Sequence, residues 1–195
     1  MTKEEFEEEY KILIEELPAY NFEETMARIK GTSQDDSFFK EKAIIFLYST
    51  DIGRELNNEL RQDISNRKLK AFKNTLHYSL ENIKNCPSYK NVYTEDLYRG
   101  SRKNYDGIAE KNIGETFTLT EFLSTTYDRT IANVFEEGVK IFVSTTSGTF
   151  IAQYSESPDE AEVLINTGVE FNVWNKTFTG EIEYIYLDHD KDELQ

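Results

Sequence analysis

Two glutamates separated by one residue are the most suggestive chemical groups in this sequence. The stretch "SESPDEAEVLINTG", from Ser155 to Gly168, holds Glu160 and Glu162 at the start of a predicted strand. Side chains two residues apart on a strand point to the same face, which places the two Cα atoms about 6–7 Å apart. Like charges that close repel unless a cation, a proton or a substrate shares them. An exposed face of an acidic protein would carry the same pair, so other residues must indicate a site.

An arginine and a run of hydroxyl residues are the groups that would complete such a site. Arg99 lies at the end of a predicted strand in "LYRG". A second strand, "FLSTT", carries Ser124, Thr125 and Thr126. A guanidinium holds phosphate or carboxylate oxygens through parallel hydrogen bonds. The chain thus offers carboxylates, one arginine and a hydroxyl cluster for chemistry.

Other catalytic or metal sites find little support. The two histidines are His77, in a predicted helix, and His189, in the tail "DHDKDELQ". The aspartates of that tail would bind a divalent cation weakly, and a frayed, solvated terminus explains them better. Gly100 is followed by Ser101 and Arg102, which fits neither a Walker nor a dinucleotide-binding glycine pattern. We therefore expect no metal.

The cysteine count and the N-terminal sequence point to a reducing compartment. Cys86 has no partner for an intramolecular disulfide, and its place before Pro87 favours a structural role. The start, "MTKEEFEEEYKIL", lacks the basic and apolar segments of a signal peptide. No apolar run approaches the length that spans a membrane. We expect a cytoplasmic protein with no membrane partner, and a host cytosol is one such place.

The charge distribution argues against nucleic acid as a partner. The net charge is −15, and residues 93–195 carry eight basic against twenty acidic side chains. Nucleic-acid binding needs a basic stripe that displaces counterions, and this half of the chain has none. Residues 38–92 are net positive, which a solvated helix face explains.

Five helices are predicted over the first 90 residues. The first begins at a capping box of Thr2 and Glu5 and ends at Pro18. The others are Phe22 to Lys30 with Gly31 as its stop, a buried "FFKEKAIIFLYS" capped by Ser37, a helix capped by Asp51, and Leu69 to Ile83.

The rest of the chain is rich in β-branched and aromatic residues, which predicts strands. They are "DLYRG", "TFTLTEFLSTT", "VKIFVSTT", "TFIAQYS", "AEVLINT", "VEFNVWNK" and "EIEYIYLDH", with one helix from Asp128 to Glu137 that ends at Gly138. Helices followed by strands indicate an α+β fold, and the short loops predict mostly antiparallel or mixed sheets. We expect a single domain over residues 1–195, with a helical part at 1–90 and a β-rich part at 91–195.

Three of the strands carry motifs that resemble a known family. Tyr98-Arg99-Gly100 matches an aromatic-Arg strand, residues 122–126 match a Ser-Thr-Ser strand with Thr126 as its last residue, and residues 160–162 match a Glu-x-Glu strand. In this order they are similar to the signature of mono-ADP-ribosyltransferases of the Arg–Ser–Glu class, which include enzymatic components of clostridial binary toxins, vertebrate ecto-transferases and T-even phage enzymes. The resemblance implies the ADP-ribosyltransferase fold, in which a helical region packs on two mixed or antiparallel sheets that form an NAD-binding cleft.

The resemblance also implies NAD as co-substrate, with loss of nicotinamide from its ribose. The leaving group is a cationic pyridinium, so no acid must protonate it, unlike in ordinary glycoside hydrolysis. Glu162 is then expected to hydrogen-bond the ribose 2′-hydroxyl and to stabilise the oxocarbenium-like ribose, and Ser124 to position Glu162. Arg99 is expected to hold the NAD pyrophosphate, with a surface ion pair as the alternative.

The remaining NAD-binding residues follow from the same resemblance. They are Tyr98, Gly100, Thr125, Thr126 and Phe135. Phe135 is expected to stack on nicotinamide, and a buried aromatic that faces the sheet is the alternative.

Glu160 is expected to select the acceptor. In the family, glutamate at this place accompanies arginine as the target, and glutamine accompanies other acceptors. A carboxylate pairs with a guanidinium through two hydrogen bonds. Because arginine is too basic to lose its proton beforehand, Glu160 is expected to orient the guanidinium and to accept the proton as the new bond forms.

Three positions depart from the family pattern. Ser157 lies where relatives often carry an aromatic residue that recognises the target, Glu121 lies where they often carry asparagine, and "NTG" replaces a proline pair after the glutamate strand. The resemblance therefore predicts NAD cleavage more firmly than it predicts a target.

These observations predict an effector-like or toxin-like, monomeric mono-ADP-ribosyltransferase that modifies arginine in a target protein. An NAD glycohydrolase, in which water is the acceptor, is the first alternative. A non-catalytic binding module that keeps the fold is the second, and a DNA-modifying transferase is a remote third because the motif-bearing half is acidic.

Overall fold

The chain divides into two compact units near the point where its sequence changes character. The computed structural model describes residues 1–32, 38–62, 64–91, 96–102 and 107–189. One unit comprises Met1–Asn91 with Gln153–Ser157, and the other comprises Val92–Ala152 with Pro158–Gln195. The division after Asn91 agrees with the predicted change from helical to β-rich sequence. That the whole chain is one domain stays a prediction.

The first unit is helical. Its helices are α1 (Lys3–Glu16), α2 (Phe22–Thr32), α3 (Phe39–Ser49), α4 (Asp51–Arg61) and α5 (Arg67–Ile83). The predicted capping box opens α1, with the Glu5 N–H donating to the Thr2 hydroxyl and the Thr2 N–H donating to the Glu5 carboxylate. The apolar run of α3 is buried, as its composition predicts. No helix within the described ranges is long and apolar enough to cross a membrane.

Two predicted helix ends are wrong. Thr50, rather than Asp51, caps α4, because its hydroxyl accepts the Gly53 N–H and its backbone is extended. Helix α2 continues through Gly31 to Thr32. The predicted cap Ser37 lies outside the described residues.

The second unit is built on a mixed sheet. Its strands are β1 (Asp96–Arg102), β2 (Thr116–Thr118), β3 (Leu123–Thr126), β4 (Gly138–Ser144), β5 (Thr149–Phe150), β6 (Glu162–Ile165), β7 (Glu170–Thr179) and β8 (Ile182–Asp188). The order is β2-β7-β8-β4-β1-β3-β6-β5. β4 and β8 are parallel, and the other neighbouring pairs are antiparallel.

The α+β class and the mixed sheet agree with the prediction, but the strands join in one hydrogen-bonded order instead of two sheets. The joint is the pair Tyr98–Thr126, where β1 meets β3. Alternate residues of the strands form the core, such as Val139, Ile141 and Val143 of β4. A period of two along each strand explains this pattern.

The helix between β3 and β4 is shorter than predicted. Helix α6 spans Arg129–Val134, with Asp128 as its N-cap through a hydrogen bond from the Thr130 N–H. Residues after the helix already belong to the sheet. Glu137 forms an isolated β-bridge with Arg102, and Gly138 is the first residue of β4. Gly138 has φ 100°, a backbone conformation that glycine adopts without strain.

Candidate active site

Strands β3 and β6 bring a serine to a glutamate at one end of the sheet. Their antiparallel register sets Thr126 opposite Glu162 and Ser124 opposite Leu164. Ser124 is therefore the diagonal neighbour of Glu162 on the same face of the two strands, within reach of a side chain. The Ser124 hydroxyl hydrogen-bonds the Glu162 carboxyl. This is the pairing that the sequence predicts for a positioned glutamate.

The Glu162 carboxyl is buried, with 6% of the residue exposed. Its pKa is raised from 4.5 to about 7, chiefly because the carboxyl is buried and to a smaller extent because the charge of Glu160 lies nearby. The hydrogen bond from Ser124 and the charge of Arg99 act in the opposite direction. Near neutral pH this carboxyl therefore exchanges between its charged and neutral forms, which is a common property of functional groups.

Glu160 lies in a turn and not on the strand, which corrects the strand-spacing argument. Pro158–Glu160 form a short 3-10 helix, and β6 begins only at Glu162. Between them Ala161 has φ 49°, a left-handed conformation that breaks the two-residue period and is unfavourable for alanine. Glu160 is half-buried and close enough to Glu162 for its charge to act on that carboxyl. The two carboxylates are neighbours, but different local structures hold them.

Strand β6 is buried on both of its faces. Val163, Leu164 and Ile165 are all fully buried, so both faces of this strand are covered. A strand that is covered on both sides has a continuous apolar run, as "VLI" is here, and does not alternate.

Arg99 supports the same end of β3. Its Nη1 donates to the Ser124 carbonyl oxygen at 2.8 Å, and its positive charge stabilises the ionised form of Glu162. Arg99 is half-buried. The predicted contact with a pyrophosphate stays a prediction.

Three other predicted NAD-binding residues have defined structural contacts. The Thr125 hydroxyl donates to the Val163 carbonyl oxygen at 2.6 Å and ties β3 to β6. The Thr126 hydroxyl accepts the Asp128 N–H at 3.0 Å, which leads the chain into α6. Tyr98 packs edge-on against Phe142, with 5.5 Å between ring centroids. These contacts explain the residue types without a nucleotide, so the proposed nucleotide contacts remain predictions.

Gly100 has a packing reason that the sequence did not indicate. A Cβ atom at this position would lie 2.2 Å from the Ala132 carbonyl oxygen and 2.6 Å from the Glu136 backbone nitrogen. Because both neighbours are backbone atoms, they cannot move aside as a side chain can. Glycine at this position therefore lets α6 and the residues after it approach β1 next to Arg99.

Phe135, at the C-terminal end of α6, is 50% exposed. The alternative of a buried aromatic facing the sheet is therefore wrong. Stacking on nicotinamide stays a prediction, and the exposed ring is compatible with it.

The groups that the sequence set aside lie in structural surroundings. Cys86 is buried, and its sulfur is 3.0 Å from the Ser88 hydroxyl. His189 is ordered at the end of β8, with Nδ1 2.8 Å from the Glu170 carbonyl oxygen, so the predicted frayed tail does not begin there. The aspartates at 190 and 192 lie outside the described residues. Among the residues that the structure describes, no three His, Cys, Asp or Glu side chains form a metal-binding group.

Comparison with known proteins identifies the family. The sequence model of the family described as "ART: NAD:arginine ADP-ribosyltransferase" matches residues 2–195. The chain belongs to this family. The curated Mycobacterium avium protein Mav, named as an NAD(+)–arginine ADP-ribosyltransferase, is 29% identical to it over 126 residues, or 64% of the chain. The matched region is 14% of the length of Mav.

Two solved structures of other proteins share the fold. Exoenzyme S from Pseudomonas aeruginosa, in complex with human 14-3-3 protein beta and carba-NAD, gives a TM-score of 0.72 at 18% identity and covers 95% of this chain and 89% of its own. The eukaryotic mono-ADP-ribosyltransferase ART2.2 gives 0.69 at 22% identity, with 95% and 86% covered. At such low identity the similarity establishes the ADP-ribosyltransferase fold alone.

Proposed function

We propose that the protein is a mono-ADP-ribosyltransferase that transfers ADP-ribose from NAD to arginine side chains of a target protein and releases nicotinamide. The observation that carries the proposal is the buried Glu162, held by Ser124 and neighboured by Arg99 and Glu160. Membership of the NAD:arginine ADP-ribosyltransferase family supports the same donor and acceptor.

The proposed first step breaks the bond between nicotinamide and C1′ of the ribose. The bond electrons leave with the pyridinium ring, which becomes neutral nicotinamide, so no acid is needed at the leaving group. Positive charge develops on the ribose, and the ionised Glu162, accepting a hydrogen bond from the 2′-hydroxyl, stabilises it electrostatically. Burial strengthens this effect because little water screens the charge.

The second step forms the bond from C1′ to a guanidinium nitrogen of the acceptor. Glu160 is half-buried in its turn, whereas Glu162 is buried, so Glu160 is the more accessible of the two carboxylates. In the proposal it orients the guanidinium and accepts its proton as the bond forms. The net products are ADP-ribosyl-arginine, nicotinamide and one proton.

The proposal includes a protein target and no metal. Exoenzyme S was crystallised with a 14-3-3 protein, which is compatible with protein partners in this fold. Action in a host cytosol, as an effector or toxin, belongs to the same proposal.

Incubation with NAD labelled in its adenylate part and with agmatine, a small guanidine acceptor, tests the proposal directly. We expect ADP-ribosyl-agmatine together with one nicotinamide per transfer. Free ADP-ribose without any agmatine adduct or labelled lysate protein would instead identify an NAD glycohydrolase. If calorimetry detects no binding of NAD, the fold serves as a binding module for something else. Where transfer is observed, mass spectrometry of labelled lysate proteins reports the acceptor residue and the target together.

A further inference from the structure

The residues that lead into the Glu160 turn belong to the helical unit. Strand β5 ends at Phe150 and β6 begins at Glu162, and both belong to the other unit. Between them, Gln153–Ser157 group with Met1–Asn91. We call Gln153–Ser157 the anchor segment. The chain therefore enters the Pro158–Glu160 turn directly from a segment that the helical unit holds.

One hydrogen bond attaches the backbone of the anchor segment to helix α3. The Glu156 N–H donates to the Ser49 hydroxyl oxygen at 2.7 Å, and Ser49 is the last residue of α3. The Ser49 hydroxyl donates its own proton to the Phe46 carbonyl oxygen at 2.8 Å, so its oxygen is oriented to accept. Within the segment, the Ser157 N–H donates to the Ser155 hydroxyl at 3.1 Å. Successive backbone positions just before the turn are thereby fixed.

Tyr154 provides a second attachment. Its hydroxyl lies 3.4 Å from that of Ser88, and its ring centroid lies 5.8 Å from the Lys42 ammonium nitrogen. Lys42 is 1% exposed in the middle of the apolar helix α3, where a lysine is costly unless it has partners. The face of the Tyr154 ring is one such partner. This contact explains a charged residue within the apolar stretch "KAIIFLY".

Glu160 and Glu162 consequently depend on different supports. Glu162 is fixed by the pairing of β6 with β3 and by Ser124. Glu160 follows the anchor segment by three residues and precedes the strand. Loosening the segment should therefore displace Glu160 more than Glu162.

We propose that Ser49 and Tyr154 are positioning residues that hold Glu160 in place for the acceptor and so set the ratio of arginine transfer to NAD hydrolysis. The inference rests on the proposed function, because only a transferase has such a ratio. It assigns to the helical unit a part in acceptor use that does not involve binding NAD.

The test compares Ser49→Ala and Tyr154→Phe with matched controls from the same unit. Tyr10→Phe removes another tyrosine hydroxyl whose pKa burial raises to about 12, as it does for Tyr154. Ser79→Ala removes a helical serine hydroxyl that donates to the Thr75 carbonyl oxygen. ADP-ribosyl-agmatine and free ADP-ribose are measured in the same reaction, so the ratio is independent of the amount of folded enzyme.

We expect each anchor variant to lower the ratio of transfer to hydrolysis about three- to tenfold, the effect of one hydrogen bond. The KM for NAD and the hydrolysis rate should stay within about twofold of wild type, and both controls should keep the wild-type ratio. Ser49→Thr retains a hydroxyl acceptor and should restore the ratio.

An unchanged ratio in both anchor variants, with normal agmatine transfer by the wild type, would overturn this inference and leave the proposed function intact. A Ser49→Thr variant that behaves like Ser49→Ala would also overturn the part assigned to the hydrogen bond. If the wild type hydrolyses NAD but never modifies agmatine or protein, the proposed function and the inference both fail.

Discussion

Strand β6 and the turn before it each carry one carboxylate, and they hold it in opposite ways. All four residues of β6 are buried, whereas the Pro158–Glu160 turn has no buried residue. Glu162 is fixed by strand pairing on the β3 side, and Glu160 follows a segment attached to α3. In the proposed reaction Glu162 acts on one atom of one substrate, and Glu160 meets an acceptor that must enter and leave. A dry, rigid site suits the first task, and an accessible turn suits the second.

The buried position of Glu162 also affects its ionisation. Burial makes the ionised form of Glu162 unfavourable, and the Ser124 hydroxyl and Arg99 only partly offset this effect. A carboxyl that is costly to ionise in the free protein is stabilised when positive charge develops beside it. The fold thus bears a free-energy cost at Glu162 that the proposed transition state would relieve.

The largest expected effect comes from Glu162→Gln, which keeps the shape of the side chain and removes its charge. We expect NAD turnover to fall at least about a thousandfold, because the neutral amide cannot stabilise a cationic ribose. Nicotinamide release measures the loss, and circular dichroism checks that the fold is retained. Full activity in a folded variant would remove Glu162 from the chemistry.

Glu160→Gln is expected to separate the two carboxylates by function. Transfer to agmatine should fall about a hundredfold, because the guanidinium loses its charged partner and its proton acceptor. NAD hydrolysis should change by no more than about threefold, because Glu162 keeps its strand and its hydrogen bond. Product analysis of a single reaction gives both rates. An equal loss of transfer and hydrolysis would show that Glu160 is not specific to the acceptor.

Sequence reasoning predicts the strand half of this contrast better than the turn half. The strands that carry Arg99, Ser124 and Glu162 follow from local alternation of residue types, and their grouping in one site is what the family resemblance implies. The 3-10 turn at Glu160 does not follow from local alternation, because a left-handed Ala161 leaves no mark in the residue types. The attachment of Tyr154 to α3 links residues far apart in the chain, so no local pattern reveals it. The packing reason for Gly100 depends on where α6 lies, which is also a tertiary feature.

The free energy of unfolding should depend on pH because the fold makes Glu162 harder to ionise. Its pKa is raised from 4.5 in the unfolded chain to about 7 in the fold, so the native state binds this proton more tightly. The associated stabilisation is complete below about pH 4.5 and is lost as the pH rises through about 7. Glu162→Gln stays neutral and loses nothing, so at pH 8 it should unfold with a free energy up to about 3 kcal/mol above wild type.

Urea unfolding at pH 8 and pH 5 measures this difference, which should shrink at the lower pH. Glu23→Gln, at an exposed position of α2, controls for the removal of one negative charge from an acidic chain. A difference of the same size at both pH values would contradict the assignment of the raised pKa to the folded state.

The smallest expected effects are shifts of opposite sign in the pH dependence of NAD hydrolysis. Because the ionised Glu162 is the active form, kcat/KM should rise with pH, and the midpoint of the rise should lie near pH 7. Ser124→Ala removes a hydrogen bond that lowers the pKa of Glu162, so its midpoint should move to higher pH. Glu160→Gln removes a like charge that raises the same pKa, so its midpoint should move to lower pH. Each shift should be about a few tenths of a pH unit to one unit, the scale of a single neighbouring group.

Ser124→Thr keeps a hydroxyl donor and should stay near wild type. Shifts in the same direction for Ser124→Ala and Glu160→Gln would mean that Glu160 and Ser124 do not act on one common carboxyl, and the contrast between turn and strand would need another basis.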